Sequence, residues 1–571
     1  MPRQLRERKS PLMLIKSEIL GPDQSLDCEV CIIGAGPAGI TLALDLARAG
    51  RDVILVESGE FARNDRIQSC ADADWFDDSR HAAMNIATQR LWGGTSSIWG
   101  GRCVPLDTVD FEPRTSRGSA SWPIDFTEIA RFYPKACEYA HCGAASFTLA
   151  DAFGNSVPPI VPGFRDGEVT ASSLERWSLP THFGTIYKDE VHASPKLRAF
   201  LGLTCIDLQF DDQNRIRIAR SRSLSGVQLD VQAQYFVIAA GGLESTRLLM
   251  NIDALHPGRF GNHSDLLGRF YMGHISGKIA ELQFETPPRQ TIYGFDRDAD
   301  GVYCRRRFVV SAARQRKDDL LNCALWLDNP PLPNADHRNG ILSMAYLALS
   351  MPGLSRHLAP EAIRRAAVEN PSRSAFWQHL LNILLDLPAT AAFVPAFVWK
   401  RYFARRKIPG FFLFSRSNRY ALHYHGEQAP RENSRVRLSE SRDELGLHKL
   451  HIDLRYSATD AESIVRTHRI LDSELQRMAI GRLVYAPGDP ISLIDRQAKD
   501  GFHQIGTTRM SRRPEEGIVN ENCRVHAVDN LYVVSSSVFP TSGQANPTLT
   551  VIALAVRLAD HLRARLGAEL P

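Results

Sequence analysis

The sequence predicts an α/β protein with two domains. One is a Rossmann-type dinucleotide-binding domain, discontinuous in sequence; the other is an α+β domain with an antiparallel sheet. Three observations predict this. A glycine turn, Gly34, Gly36 and Gly39, lies between an apolar run and a helical pattern. A mid-chain strand ends in Gly241-Gly242 before another helix. After a long stretch of different texture, about the last 70 residues return to the glycine-turn style of the first part.

The elements follow in order. Cys28 to Ile33 reads as a buried strand, Ala38 to Ala49 as a helix and Val53 to Val56 as the next parallel strand. In that setting the spacing fits G-x-G-x-x-G. Gly34 permits the tight turn, Gly36 admits a pyrophosphate close to the backbone, and Gly39 lets helix and strand approach. The helix start offers free N–H groups and a positive dipole end to phosphates. Glu57 closes the second strand about 20 residues after Gly34, where a carboxylate can accept hydrogen bonds from ribose hydroxyls. The motif alone leaves FAD and NAD open, and Glu57 disfavours NADP.

Beyond a polar, aspartate-rich stretch, Arg90 to Arg114 packs glycines and tryptophans into a loop that can lie along a flat ligand. Arg215–Arg222 and Val227–Ala233 alternate as a hairpin around Ser-Leu-Ser-Gly, and Tyr235–Ala240 reads as another apolar strand. Glu244–Met250 reads as a helix. Residues 276–494 carry Pro-rich loops, a helical insert and a strand set. The expected nucleotide-binding domain is therefore 25–115, 194–275 and 495–571. The expected substrate-binding domain is 116–193 and 276–494, with the helical insert at about 356–405. Ligand sites often lie where such domains face each other.

Composition sets bounds. At 571 residues one core is too few, because single cores stop growing at about 250–300 residues. The net charge of +4, with 68 basic and 64 acidic residues, gives no reason to invoke nucleic acid. The basic start, MPRQLRERKSPLMLIKSEIL, has too short an apolar run for a signal peptide. The expected location is the cytoplasm, or the periplasm if a partner carries the chain across. Ten cysteines over this length form no disulfide framework. Cys28 and Cys31 face opposite sides of one strand and read as core thiols. The stretch Phe376 to Phe403 is apolar but broken by Asp386, Pro388 and Pro395. It reads as amphipathic helices that pack in the second domain or touch a membrane or redox partner.

Five segments together resemble the glucose–methanol–choline (GMC) oxidoreductases: GAGPAG with Glu57, LWGGTSSIWGG, IAAGGLESTRLLM, HQIGTTRM, and DNLYVVSSSVFPTSGQANPTLT. GNHSDLLGRFYMGH and EQAPRENSRVRLSE are similar to the bacterial branch of glucoside 3-dehydrogenases and fructose dehydrogenase large subunits. The resemblance implies an FAD-dependent oxidation of a secondary alcohol of a sugar, glycoside or polyol, by a dehydrogenase rather than an oxidase. His503 matches the active-site histidine and Asn546 its partner. The cofactor residues it implies are Gly34, Gly36, Pro37, Ala38, Gly39, Glu57 and Ser58 in the first turn. They continue with Trp92, Gly93, Gly94, Thr95, Ser96, Trp99, Gly100 and Gly101 in the tryptophan loop, with Ala240 and Gly241, and with Asn546, Pro547 and Thr548. The stretch Gly94–Ser97 holds no histidine, so the FAD is expected to be non-covalent. A small accessory subunit and a cytochrome c or quinone acceptor are the partners the resemblance allows; no CxxCH haem motif is present in the chain.

A neutral imidazole can take the hydroxyl proton while the flavin takes the hydride. Asn546 can hold the hydroxyl, or cap the helix that follows. Glu427, Gln428 and His425 are candidates for reading sugar hydroxyls, with ordinary strand polarity as the alternative. His274 either supports the cofactor domain or points into the pocket. No metal-ligand spacing stands out. The competing readings are an oxidase or tailoring enzyme for a natural-product alcohol, and a flavin-binding scaffold without catalysis.

Overall fold

The computed structural model describes residues 13–21, 23–118, 120–261, 265–358 and 373–568. The basic start of the chain, residues 262–264 of the GNHSDLL block and residues 359–372 of the insert lie outside them.

The first sheet grows from the predicted turn. Its strands run in the order Leu14–Lys16, Leu197–Leu201, Val53–Glu57, Gln24–Ile33, Gln228–Ile238, Ile216–Arg222 and Thr204–Phe210. The first five are mutually parallel, and Ile216–Arg222 pairs antiparallel on both sides. Leu531–Val533 adds in parallel to Gln228–Ile238. Residues 30–33 and 53–56 are buried, as parallel strands covered on both faces must be. The second arm of the hairpin and the following apolar strand, read as separate pieces, form one continuous strand from Gln228 to Ile238. The chain does not turn at Gln234 because that strand pairs with Gln24–Ile33 along its length.

The helix Pro37–Arg48 packs on Thr548–Ala568, so the first turn and the C-terminal helix share a core. The second sheet is built from Val169–Trp177, His274–Phe284, Tyr303–Val310, Cys323–Asp328, Arg419–Glu427 and Gly481–Tyr485, all paired antiparallel. A small third sheet joins Ala73–Trp75 to Arg435–Arg442 and His448–Asp453.

Three sequence boundaries shift. Leu14–Lys16 extends the first sheet upstream of residue 25. Arg102–Cys103, assigned to the nucleotide domain, pairs with Trp177 and Arg176 of the second sheet. Tyr133–Ala140, assigned to the substrate domain, docks on the cofactor helices: the Tyr139 hydroxyl donates to Asp45 at 2.7 Å, and Tyr133 and Thr550 share a hydrogen bond at 3.0 Å. Buried tyrosine hydroxyls need such partners, which local patterning does not reveal. All ten cysteines are free, and Cys31 is fully buried.

Candidate active site

A cleft, open at its mouth, runs along the C-terminal ends of the parallel strands. Gly34, Gly36, Pro37 and Ala38 line it, with Glu57, Ser58, Gly94, Thr95, Ser96, Trp99, Ala240, Gly241, Pro547 and Thr548. Its floor tolerates no side chain at Gly34. That residue sits at φ +105, and a Cβ there would lie 2.7 Å from the carbonyl oxygen of Ala239. Gly36 caps the helix without a side-chain hydrogen bond, with Pro37 at the first turn, so the N–H groups that follow face the cleft unpaired. Glu57 braces this turn: its carboxylate accepts from Ala35 N at 2.7 Å and Gly59 N at 2.8 Å. Burial raises its pKa, while those N–H groups pull it back.

Several predicted cofactor residues act behind the lining instead. A Cβ on Gly39 would fall 1.9 Å from Gly34 O, so this glycine closes the turn. Trp92 is buried and donates from Nε1 to Gly184 O at 2.8 Å, while Gly93 packs on Gly184. Gly101 packs against Leu179. Gly100 and Asn546 also lie off the lining. The sequence reading missed Arg90, Glu244 and Arg247, which do line the cleft. Arg90 pairs with Glu244, yet its Nε and Nη1 and the Glu244 Oε1 are buried without partners. Buried polar atoms are normally satisfied. Orphans of both kinds on the wall of this cleft fit a ligand with its own donors and acceptors, as FAD has.

Phe502 and Gln504 line the cleft, and so does Pro547. His503 and Asn546 are thereby set at its edge. Asn546 Nδ2 lies 2.8 Å from His503 Nε2. Arg102, which the sequence reading did not single out, decides what that contact means. Its Nη1 donates to Asn546 Oδ1 at 2.9 Å. Arginine only donates, so this atom is the amide oxygen, and the amide N–H₂ must face His503. His503 Nε2 is then an acceptor and carries no proton. The proton sits on Nδ1, which meets Asp500 Oδ2 at 3.2 Å and His274 Nδ1 at 3.0 Å. His274 Nδ1 must accept there.

Asp500 anchors this corner. Its carboxylate also accepts from the backbone N–H groups of His274 (2.6 Å), Phe502 (2.9 Å) and His503 (3.2 Å). Burial would raise its pKa, but attraction to His503 and His274 outweighs that and holds it at about 2. His274 is pushed down to about 3 by burial and by the neighbouring His503. His425 is also held well below its ordinary range, by burial first and His274 next. Its ring stacks on His274 with centroids 4.4 Å apart, and its Nδ1 bonds Gln544 O at 2.8 Å. His274, His425 and His503 offer nitrogens within 4.8 Å of one another, a cluster of metal-binding type that residues so distant in sequence do not announce.

Glu427 and Gln428 do not reach the cleft. Glu427 is fully buried, paired with Arg117 at 2.5 Å, and accepts from Asn322 N at 2.8 Å. Gln428 accepts from Gly273 N at 2.7 Å and donates to Arg455 O. Glu427 ends a central strand and Gln428 follows it, and both turn to partners in the protein's interior. The expected substrate contacts are corrected accordingly: of the three, His425 alone sits beside His503, with ring centroids 5.6 Å apart. The wall on that side is Trp326, stacked on His423 at 4.4 Å and flanked by Arg102 and Arg305, whose guanidinium carbons lie 4.7 and 4.8 Å from it. Glu175 pairs with both arginines.

Comparison with known proteins follows this geometry. Residues 430–555 match the family model described as GMC oxidoreductase, and residues 29–75 match that of FAD dependent oxidoreductase. This is an FAD-dependent oxidoreductase, similar over residues 430–555 to the GMC family. The chain is 29% identical to paromamine 6'-oxidase of Streptomyces fradiae over 93% of its own length and 90% of the relative's. It is also 29% identical to the fructose dehydrogenase large subunit of Gluconobacter japonicus, over 95% and 98%. An FAD-dependent oxidoreductase from Chaetomium thermophilum shares the GMC fold at a TM-score of 0.52 and 15% identity, covering 95% of this chain and all of that one.

Proposed function

We propose that the protein is a dehydrogenase for a secondary alcohol of a sugar, glycoside or polyol. In this reading His503 takes the hydroxyl proton and Asn546 holds the hydroxyl oxygen. The observation that carries it is the chain of hydrogen bonds from Arg102 through Asn546 to His503. It leaves an unprotonated Nε2 at the edge of the cofactor cleft. When bound, FAD supplies the hydride acceptor. A hydroxyl entering between Asn546 and His503 accepts from the amide N–H and gives its proton to Nε2. Asp500 then faces the imidazolium that results, as an ionised partner already in place. The names of two relatives, a fructose dehydrogenase subunit and a paromamine 6'-oxidase, support a carbohydrate-like alcohol. The second name equally favours an oxidase acting on a natural-product alcohol.

FAD is held without a covalent bond in this reading. Among the described cleft-lining residues there is no histidine, and the lining thiol, Cys205, is pushed up to about 12 by burial and stays protonated. Acid precipitation should therefore release the flavin into solution.

The deciding experiment is an anaerobic titration of the purified protein with glucose, methyl glucosides, fructose and simple alcohols, following flavin absorbance. Bleaching by glycosides and not by alcohols supports the proposal. If none of them reduces a flavin that dithionite does reduce, the carbohydrate reading is wrong. Admitting air to the reduced protein separates the two acceptor classes: slow reoxidation fits a dehydrogenase, and rapid reoxidation an oxidase.

A further inference from the structure

Between the strands Cys323–Asp328 and Arg419–Glu427 the chain leaves the second sheet for a helical insert. Its described helices are Gly340–Ser350, Pro352–Leu358, Arg373–Leu385 and Leu387–Val398, with a wide turn at Trp399–Phe403. Their amphipathicity is inverted. Apart from the exposed Gln378, the polar residues between Phe376 and Trp399 face inward: His379 bonds the Ser343 hydroxyl at 2.9 Å, and Asn382 donates to Ala335 O at 2.8 Å. Asp386 accepts from Gly340 N at 3.1 Å. The large apolar side chains face out. Trp377 is 71% exposed, Leu384 68%, Leu385 77%, Trp399 64% and Phe403 68%. A water-facing helix places its residues the other way round.

Charge is segregated as well. From Phe376 to Trp399 the charged residue is Asp386, and it is turned inward; Lys400, Arg401, Arg405, Arg406 and Lys407 then follow. Arg401 and Arg406 spend a guanidinium N–H on the Ile408 and His141 carbonyls, while Lys400 and Arg405 are exposed. No single described helix is long and apolar enough to cross a membrane. The two outer helices meet at a bend of 93°, and at 1.5 Å per residue each reaches about 20 Å, short of a hydrocarbon core of about 30 Å.

We propose that this insert seats the protein on an anionic lipid bilayer, with its apolar face in the outer layer of one leaflet and Lys400 and Arg405 at the headgroups. Tryptophans at the ends of the apolar face and cations beside it match the two zones of such a surface. A face whose one outward polar residue between Phe376 and Trp399 is Gln378 lacks the polar rim of a protein interface.

The test is flotation of the full-length, FAD-loaded protein with vesicles of phosphatidylcholine alone or mixed with phosphatidylglycerol. Binding to the mixed vesicles and much less to the neutral ones is expected. The double variant Lys400→Ala/Arg405→Ala should weaken it about five-fold per charge. Trp377→Asp with Leu385→Asp should abolish it. Both pairs are on the surface, so melting temperature and flavin content should stay unchanged, which separates lost docking from lost folding. The proposal is overturned if the native protein ignores anionic vesicles, or if the Trp377/Leu385 variant still floats. It is overturned equally if light scattering finds a stable dimer that this variant dissociates and that does not float.

Discussion

Replacing Asp500 by Asn tests the proton path. The carboxylate is fully buried, yet it stays ionised down to about 2 against an ordinary 3.8. At about 1.4 kcal/mol per pK unit, its surroundings favour the charge by roughly 2–3 kcal/mol. His503, 3.2 Å from Oδ2, is the first attraction. The amide removes that charge just as the imidazole becomes positive. It also lets a donor face Nδ1, which would move the His503 proton to Nε2 and block the base. The charge alone predicts a slowing of about 30–150-fold in substrate-driven flavin reduction. The assay is anaerobic stopped-flow reduction at saturating substrate, with flavin content and melting temperature measured on the same preparation. The loss should fall on the reduction rate and leave substrate affinity nearly untouched. A loaded, folded Asp500→Asn protein that reduces its flavin within about three-fold of the native rate would refute the assigned tautomer and the role of Asp500.

Further predictions concern neighbouring groups. Asn546→Ala removes the one donor aimed at the substrate oxygen and should cost about 10²–10³ in the reduction rate; an unchanged rate would leave the amide a purely structural role. Arg90→Gln withdraws the unpaired guanidinium nitrogens from the cleft wall and should weaken FAD retention by about 10–100-fold, read as flavin lost on dialysis. Asp110 is pushed up to about 7 by burial and by the neighbouring Asp107 and Glu427. Between pH 3.8 and 7 the folded protein therefore keeps a proton that the unfolded chain has released, so this group's share of stability falls as pH rises through that window. Asp110→Asn should flatten the decline in melting temperature between those pH values, and an unaltered slope would show that another group carries it.

The dinucleotide turn was legible because its signals are local. Strand, glycine spacing, helix and Glu57 lie within one βαβ unit, and each glycine role follows from backbone geometry. His503 and Asn546 were legible through the resemblance. Arg102, Asp500 and His274 were not. Each becomes relevant only when Met272 and Ile505 pair across a loop and when Arg102–Cys103 joins the second sheet. Asp500 lies three residues before His503, and that acid was the one signal in the sequence that could have been read. Glu427 and Gln428 misled for the opposite reason. A polar pair at a strand end suggests a ligand, but here the buried Arg117 and a free backbone N–H claim it. The inversion of the helical insert was also invisible, since composition cannot say which side of a helix faces water.

The cradle for the flavin has a consequence for how the protein is made. The glycine turn at Gly34–Gly39 emerges from the ribosome some five hundred residues before the helix it packs with. Its helix, Pro37–Arg48, has no complete packing partner until Thr548–Ala568 is present, and Gln228–Ile238 gains its last neighbour only with Leu531–Val533. A nucleotide fold begun there must wait, half-built, for some five hundred residues to follow. Closing so long a loop is slow, and flavin that binds only the closed form then acts as a latch. Cells short of flavin should accumulate an open, protease-sensitive chain, and a truncation within the Thr548–Ala568 helix should unmake a site that begins five hundred residues earlier.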